Sequence, residues 1–188
     1  SILSAIEKFA DKENGGYGQA PKFPQFSFYN WAIEQMLEGT IQKDQGGDHI
    51  INSLEKMLSG GIHDHARGGL HRYSVDEKWK VPHFEKMLYD QAGLIKVCSK
   101  LSLVYPSPLV YDCLLNTLDY LEHEMLSDEG FFFAAQDADS EGEEGLFFTF
   151  TEEEFEDVLV NTNDEKIVEK KEEIKKWFDI KEEGSFEK

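Results

Sequence analysis

Four of the chain's six histidines fall between residues 61 and 83, in the run Gly61-Ile-His63-Asp64-His65-Ala-Arg67-Gly68-Gly69-Leu-His71-Arg72-Tyr73, with Asp76, Trp79 and His83 following. Imidazole and guanidinium groups donate to hydroxyls, carboxylates accept from them, and Tyr73 and Trp79 add flat apolar faces. That combination grips a sugar or another polyol. His65, Arg67, His71, Arg72, Tyr73, Trp79, Lys86 and Tyr89 are therefore the candidate ligand-binding residues. A metal set is the rival reading, since His63-x-His65 precedes His71 and His83. No tight zinc spacing or nearby thiolate accompanies these histidines, so neither a metal nor another cofactor is expected. The same side chains could instead form a hydrogen-bonded network that only holds a long loop in place. Residue types leave pocket and network both open.

Catalytic candidates lie just downstream. His83, Lys86 and Asp90 sit three and four positions apart at the start of a helical pattern and share a face. Glu85 suits the positive end of that helix, a structural use. Asp90, one turn further in beside the apolar stripe, is the best single candidate, with His83 next to it. In the 136–145 loop, Asp137 and Asp139 at alternate positions point the same way. A pair of carboxylates facing a pocket could do acid/base work on a glycosidic bond, and a solvated hairpin tip is the bland alternative. Asp137-x-Asp139-x-Glu141-Gly142 imitates the start of a calcium loop, but its twelfth position is Phe148 and its flanks read as strands.

These residues must be positioned by helices. Apolar spacing of helical period runs through Ile2, Leu3, Ile6, Phe9 and Ala10; through Tyr29, Ile33, Met36 and Leu37; and through Ile50, Ile51, Leu54, Met57 and Leu58. Stronger stripes cover 86–104 and 109–125, and Pro106 and Pro108 between them predict an antiparallel hairpin. A last helix is expected around 164–178, with Ile167, Ile174 and Phe178 on one side. Phe131–Ala135 and Leu146–Phe150 read as one small β-hairpin. Asn14-Gly15-Gly16-Tyr17, Arg67-Gly68-Gly69-Leu70 and Asp128-Glu129-Gly130-Phe131 recur as a weak repeat, which suggests stacked helical hairpins with their Gly-rich loops at one rim.

The formal charge of −19 over 188 residues argues against phosphate backbones and anionic membranes as partners. No apolar run approaches the ~20 residues that span a bilayer. Cys98 and Cys113 stand alone on predicted helices and read as buried free thiols in a reducing, cytoplasmic compartment.

Several long strings resemble one family. They are Gly15-Gly-Tyr-Gly-Gln-Ala-Pro-Lys-Phe-Pro24, Gly68-Gly-Leu-His-Arg-Tyr-Ser-Val-Asp76, Trp79-Lys-Val-Pro-His-Phe-Glu-Lys-Met-Leu-Tyr-Asp90, and Asp137-Ala-Asp-Ser-Glu-Gly142 with Glu144-Gly-Leu-Phe147. The family is that of spermatogenesis-associated protein 20 and its microbial thioredoxin-domain-containing relatives, and the match extends to Trp177-Phe-Asp-Ile-Lys-Glu-Glu-Gly184. The resemblance implies an all-α fold: antiparallel helical hairpins forming part of an (α/α) six-hairpin toroid like that of glycosidases and N-acylglucosamine 2-epimerases, with one small β-hairpin. Residues 1–188 are then expected to be a truncated section of that toroid, without the family's thioredoxin-like domain and the remaining hairpins. Implied functions are a sugar-processing or sugar-binding toroid, epimerase- or glycosidase-like if an enzyme, or a non-catalytic module presenting a ligand or peptide to a thioredoxin-like domain. A carbohydrate or other polyol is the expected ligand.

Overall fold

In the computed structural model, residues 5–178, Ile180, Lys181 and Gly184 are described. The chain divides into two compact units, 1–139 and 140–188.

Four helices build the first unit: α1 (Phe26–Leu37), α2 (Gly47–Ser59), α3 (Leu88–Val104) and α4 (Pro108–Tyr120). Each presents the stripe its spacing demands. Leu94, Val97, Cys98 and Leu101 fall at i, i+3, i+4 and i+7 along α3 and are fully buried, as are Ile50, Leu54, Met57 and Leu58 on α2. Tyr29, Ala32 and Ile33 from α1 and Val110 and Cys113 from α4 complete the same core. Burying each large apolar side chain contributes about 1.5–3 kcal/mol. The α1 and α3 backbones approach so closely that a Cβ on Gly93 would stand 2.6 Å from the Phe26 ring. Across the same contact the Lys100 ammonium donates to Asn30 at 2.8 Å and pairs with Glu34. Pro108 opens α4 at a position that needs no amide donor, so α3 and α4 form the antiparallel hairpin expected of them. A π-helical turn, Leu121–Met125, extends α4. Cys98 and Cys113 are both buried and unpaired.

Short strands tie the loops together. β1 (Tyr73–Ser74) pairs with β2 (Pro82–His83), and β3 (Lys86–Met87) pairs with β4 (Ala135–Gln136), both antiparallel. A third pair, β5 (Asp139–Ser140) with β6 (Glu143–Glu144), falls where one unit ends and the next begins. Its turn residues Glu141 and Gly142 have φ of 55° and 86°, as a type I′ hairpin requires. The strand expectation needs correction. Ala135 pairs with Met87 rather than with 146–150, and Leu146–Phe148 form a turn. Phe131–Phe133 are instead exposed, and Phe132 bridges back to Leu126.

At the N-terminus, residues 5–6 are helical and Glu7–Phe9 close as a 3-10 turn; Ile2 and Leu3 of the expected stripe lie outside the described residues. In the second unit, α5 (Glu152–Asn161) starts at a reciprocal capping box between Thr151 and Glu154. The helix expected over 164–178 is broken at Lys170 into α6 (Glu165–Glu169) and α7 (Lys171–Trp177). Phe178 is 67% exposed, so the anticipated apolar side is not a buried one. Among the described residues of this unit Leu159 is the buried hydrophobic side chain. No helix among the described residues is long and apolar enough to cross a membrane.

The glycine repeat is a repeated piece of geometry. Asp11 N–H donates to Gly16 O and Gly15 N–H to Asp11 O; Asp64 N–H donates to Gly69 O and Gly68 N–H to Asp64 O. Ser127 N–H to Phe131 O and Gly130 N–H to Ser127 O give a third, simpler version. Gly15, Gly16, Gly68, Gly69 and Gly130 all have φ between 72° and 84°. A Cβ on Gly68 would also sit 2.1 Å from the Asn116 carbonyl oxygen, whereas one on Gly130 meets nothing within 4 Å. Gly68→Ala should therefore cost roughly 2–3 kcal/mol, strain plus overpacking, against about 1 kcal/mol for Gly130→Ala. Urea unfolding of the two variants checks this; equal losses would show that α4 yields to the added methyl.

Candidate functional site

Two buried lysines explain much of the loop chemistry. The Lys22 ammonium donates to Asp11 at 2.6 Å, to Gly15 O at 2.9 Å and to Glu77 O at 2.7 Å, and lies 5.5 Å from the Trp79 ring centre. Lys86 repeats the arrangement: Asp64 at 2.8 Å, Gly68 O at 2.8 Å, and the Tyr120 ring centre at 4.4 Å. Each aspartate also accepts from two amides of its own turn, Glu13 and Asn14 for Asp11, Ala66 and Arg67 for Asp64. Burial would raise the Asp64 carboxyl, but the Lys86 charge and these hydrogen bonds hold it below its ordinary value. Each clamp thus neutralises a buried charge and closes a Gly-Gly turn.

This removes several expected ligand contacts. Lys86 is wholly buried and committed to Asp64, so it is a loop clamp. Trp79 is 1% exposed, packed against Gly16 and Gly60, and its indole N–H has no partner among the described residues. It is a core ring and presents no face for stacking. His71 is buried too: its Nδ1 lies 2.9 Å from Phe84 O, and burial pushes its pKa down to about 4, keeping it neutral. His63, pushed to about 3 by burial, packs its ring edge against His65 and its Nδ1 3.8 Å from Cys113 Sγ. Asp76 closes its own loop by accepting from the amides of Lys78, Lys80 and Val81. His65 is exposed on its loop, with Nε2 3.0 Å from Gly60 O, and Arg67 pairs with Glu124 on the surface. Neither joins the cluster described next. Among the described residues no group of three or more His, Cys, Asp or Glu side chains is placed to hold a metal ion.

What remains is a contiguous, partly open cluster around the start of α3. Arg72 N–H donates to Glu85 O, and its guanidinium donates to the Glu85 carboxylate at 2.7 Å. His83 Nε2 is 3.9 Å from the same carboxylate, and its ring stacks on Tyr73, centres 4.9 Å apart and 16° from parallel. The Phe23 ring centre lies 4.9 Å from that of Tyr73, and Phe23 is 47% exposed. Tyr89, also open to solvent, hydrogen-bonds Arg72. Asp90 is 8% exposed, and its Oδ2 has no partner among the described residues. Burial, opposed by Arg72 and assisted by Glu85, pushes its pKa up to about 6. The β3–β4 register, Lys86 opposite Gln136, lets Glu85 and Asp137 leave the ladder on neighbouring strands. Asp137 and Asp139 are exposed, with the Asp139 amide donating to Asp137 Oδ1 at 3.1 Å.

The structure therefore brings together Arg72, Tyr73, His83, Tyr89 and Asp90 from the expected set, with Asp137 at the end of the adjoining strand. Glu85, assigned only a helix-end use, is the hub of the cluster. Phe23 was missed; its only signal is a large ring in a Pro-flanked loop. Gln91 was missed as well. Buried beside Asp90, it exchanges two hydrogen bonds with the Leu70 backbone and so fixes the loop against α3.

No profile of a known protein family matches the chain. Spermatogenesis-associated protein 20 of Mus musculus is 35% identical over 162 residues, 82% of this chain and 20% of that protein. The Homo sapiens protein of the same name is 36% identical over 165 residues, 82% and 21% of the two chains. An uncharacterized Caenorhabditis elegans protein is 33% identical over 198 residues, 98% of this chain and 27% of its own length. The chain thus spans about a fifth of the mouse and human relatives. Among solved structures, a sugar epimerase from a ruminal bacterium superposes with a TM-score of 0.59 at 18% identity, covering 72% of this chain and 37% of that one. Cellobiose 2-epimerase from Spirochaeta thermophila gives 0.61 at 14%, with 72% and 36% covered. At such identities the likeness establishes the fold, an all-α arrangement of antiparallel hairpins forming part of an (α/α) toroid.

Proposed function

Because this chain belongs to the spermatogenesis-associated protein 20 family over the stretch that aligns, and folds as part of an epimerase-like toroid, we propose that its Arg72–His83–Glu85–Asp90 cluster binds a sugar as part of a sugar-processing or sugar-binding site. The observation that carries this reading is the Asp90 carboxyl. It is nearly buried, carries an oxygen without a partner among the described residues, and sits beside a half-open Arg72–Glu85 pair. A buried acceptor left unmet costs free energy that a ligand hydroxyl can recover. Arg72, held by Glu85, supplies donors to further hydroxyls, and His83 and Asp90 are the groups able to move a proton at the ligand.

Cellobiose titrated into the protein, followed by calorimetry, tests the reading. Asp90→Asn should weaken binding about tenfold, the scale of a hydrogen bond to a charged group. Arg72 and Glu85 face Asp90, and its carboxyl gains its proton as pH falls through about 6. Binding should weaken over that interval in the parent and stay flat in Asp90→Asn. A variant that binds as the parent does would remove Asp90 from the site. Saturable binding without any chemical change in the sugar would favour the ligand-presenting module over the enzyme.

A further inference from the structure

Resting on that reading, we propose that Phe23 is the stacking floor at the edge of the site, and that the ligand is a neutral oligosaccharide with the apolar face of one ring on Phe23 and the hydroxyls of a neighbouring ring at the Arg72–Glu85 pair beside Asp90. The candidate aromatics divide by access. Trp79 is sealed in the core, and Tyr89, 57% exposed, is held within the polar cluster by its hydrogen bond to Arg72. Tyr73 already carries the His83 ring stacked at 16°. Phe23 leans on Tyr73 at 36° and remains 47% exposed, on a loop whose backbone is pinned by paired hydrogen bonds between Lys22 and Ser74, 2.8 Å in each direction. An exposed ring on a clamped loop is a prepared surface, because little conformational freedom is left to lose when a ligand settles on it.

Contact runs unbroken from this ring into the polar cluster: Phe23 to Tyr73, Tyr73 to His83, His83 to Glu85, and Glu85 to Arg72. A flat amphipathic ligand has one apolar face and a rim of hydroxyls, which matches a ring floor with carboxylate and guanidinium edges. Charge sets the class. Arg72 is balanced by Glu85, so Asp90 is the uncompensated group, and the chain as a whole carries −19. A phosphorylated or acidic sugar would be repelled.

Saturation-transfer NMR on the whole chain, with cellobiose and glucose 6-phosphate as probes, tests the assignment. Phe23→Ala and Phe23→Leu should each weaken cellobiose binding about tenfold, with Phe23→Tyr close to the parent, since a ring face is what is lost. Melting temperatures of all three should stay near the parent's, the side chain being half exposed. Glucose 6-phosphate should bind at least as weakly as the poorest variant binds cellobiose. Undiminished binding by Phe23→Ala where Asp90→Asn has lost it overturns the floor and leaves the site. Failure of the parent to bind cellobiose overturns both. Tighter binding of the phosphorylated sugar overturns the neutral-ligand assignment.

Discussion

Asp64→Ala is expected to cost about 3–5 kcal/mol of folding stability, as removal of one partner from a buried ion pair does. The loss arises less from the missing attraction than from what is left behind. Lys86 has no exposed surface, and without Asp64 its ammonium would keep Gly68 O and the Tyr120 ring. Two turn amides, Ala66 and Arg67, lose their acceptor at the same time. Glu124→Ala, which breaks the open Arg67 pair, is the matched control and should cost under about 1 kcal/mol. Urea unfolding measures both. Similar losses for the two variants would mean that water reaches Lys86 and that the clamp is not a buried one.

Trp79→Ala should lower stability by about 3–5 kcal/mol, the range for a large aromatic ring taken out of a core. Gly16 leaves space that the indole fills, 2.7 Å from where its Cβ would stand, while Gly60 admits the Trp79 backbone and Cβ. Part of the cost is offset, because the indole N–H is unsatisfied among the described residues; the φ of 63° is strained for alanine as well and gives no relief. Trp79→Phe should therefore be milder than truncation. Thermal melts combined with cellobiose titration separate the roles: a ligand-stacking Trp79 would lose binding at unchanged stability, which is the opposite of the expected result.

The helices of the first unit were legible because their stripes are long. Leu94 to Leu101 and Ile50 to Leu58 repeat the helical period without interruption, and Pro106 with Pro108 marks the turn between α3 and α4. Strand pairing was not legible: Ala135 finds its partner at Met87, far along the chain, and two-residue strands carry no alternation to read. Helix α5 was overlooked although Thr151 and Glu154 spell its capping box before Phe155. In the loop region, residue types showed the chemistry each side chain could perform but not which chemistry was already engaged inside the protein. Lys86 and Trp79 looked available and are consumed by packing. The Gly-Gly pairs at 15–16 and 60–61 were the visible warning, since such pairs let another group approach the backbone closely, and at Gly16 and Gly60 that group is Trp79.

The paired clamps also bear on how such a chain can be inherited. Asp11 and Lys22, like Asp64 and Lys86, lie within one stretch of loop, so copying that stretch together with its helices carries both halves of the charge pair. Duplication therefore creates no orphaned ion. The ring over each lysine comes from further along, Trp79 for the first copy and Tyr120 for the second, so each copy is finished by its successor. Between Gly69 and Lys86 the second copy has room for β1 and β2, which its shorter counterpart between Gly16 and Lys22 lacks. Once both ends of a loop are fastened to one carboxylate, its middle is free to lengthen over generations, and here that added length supplies Arg72, Tyr73, His83 and Glu85.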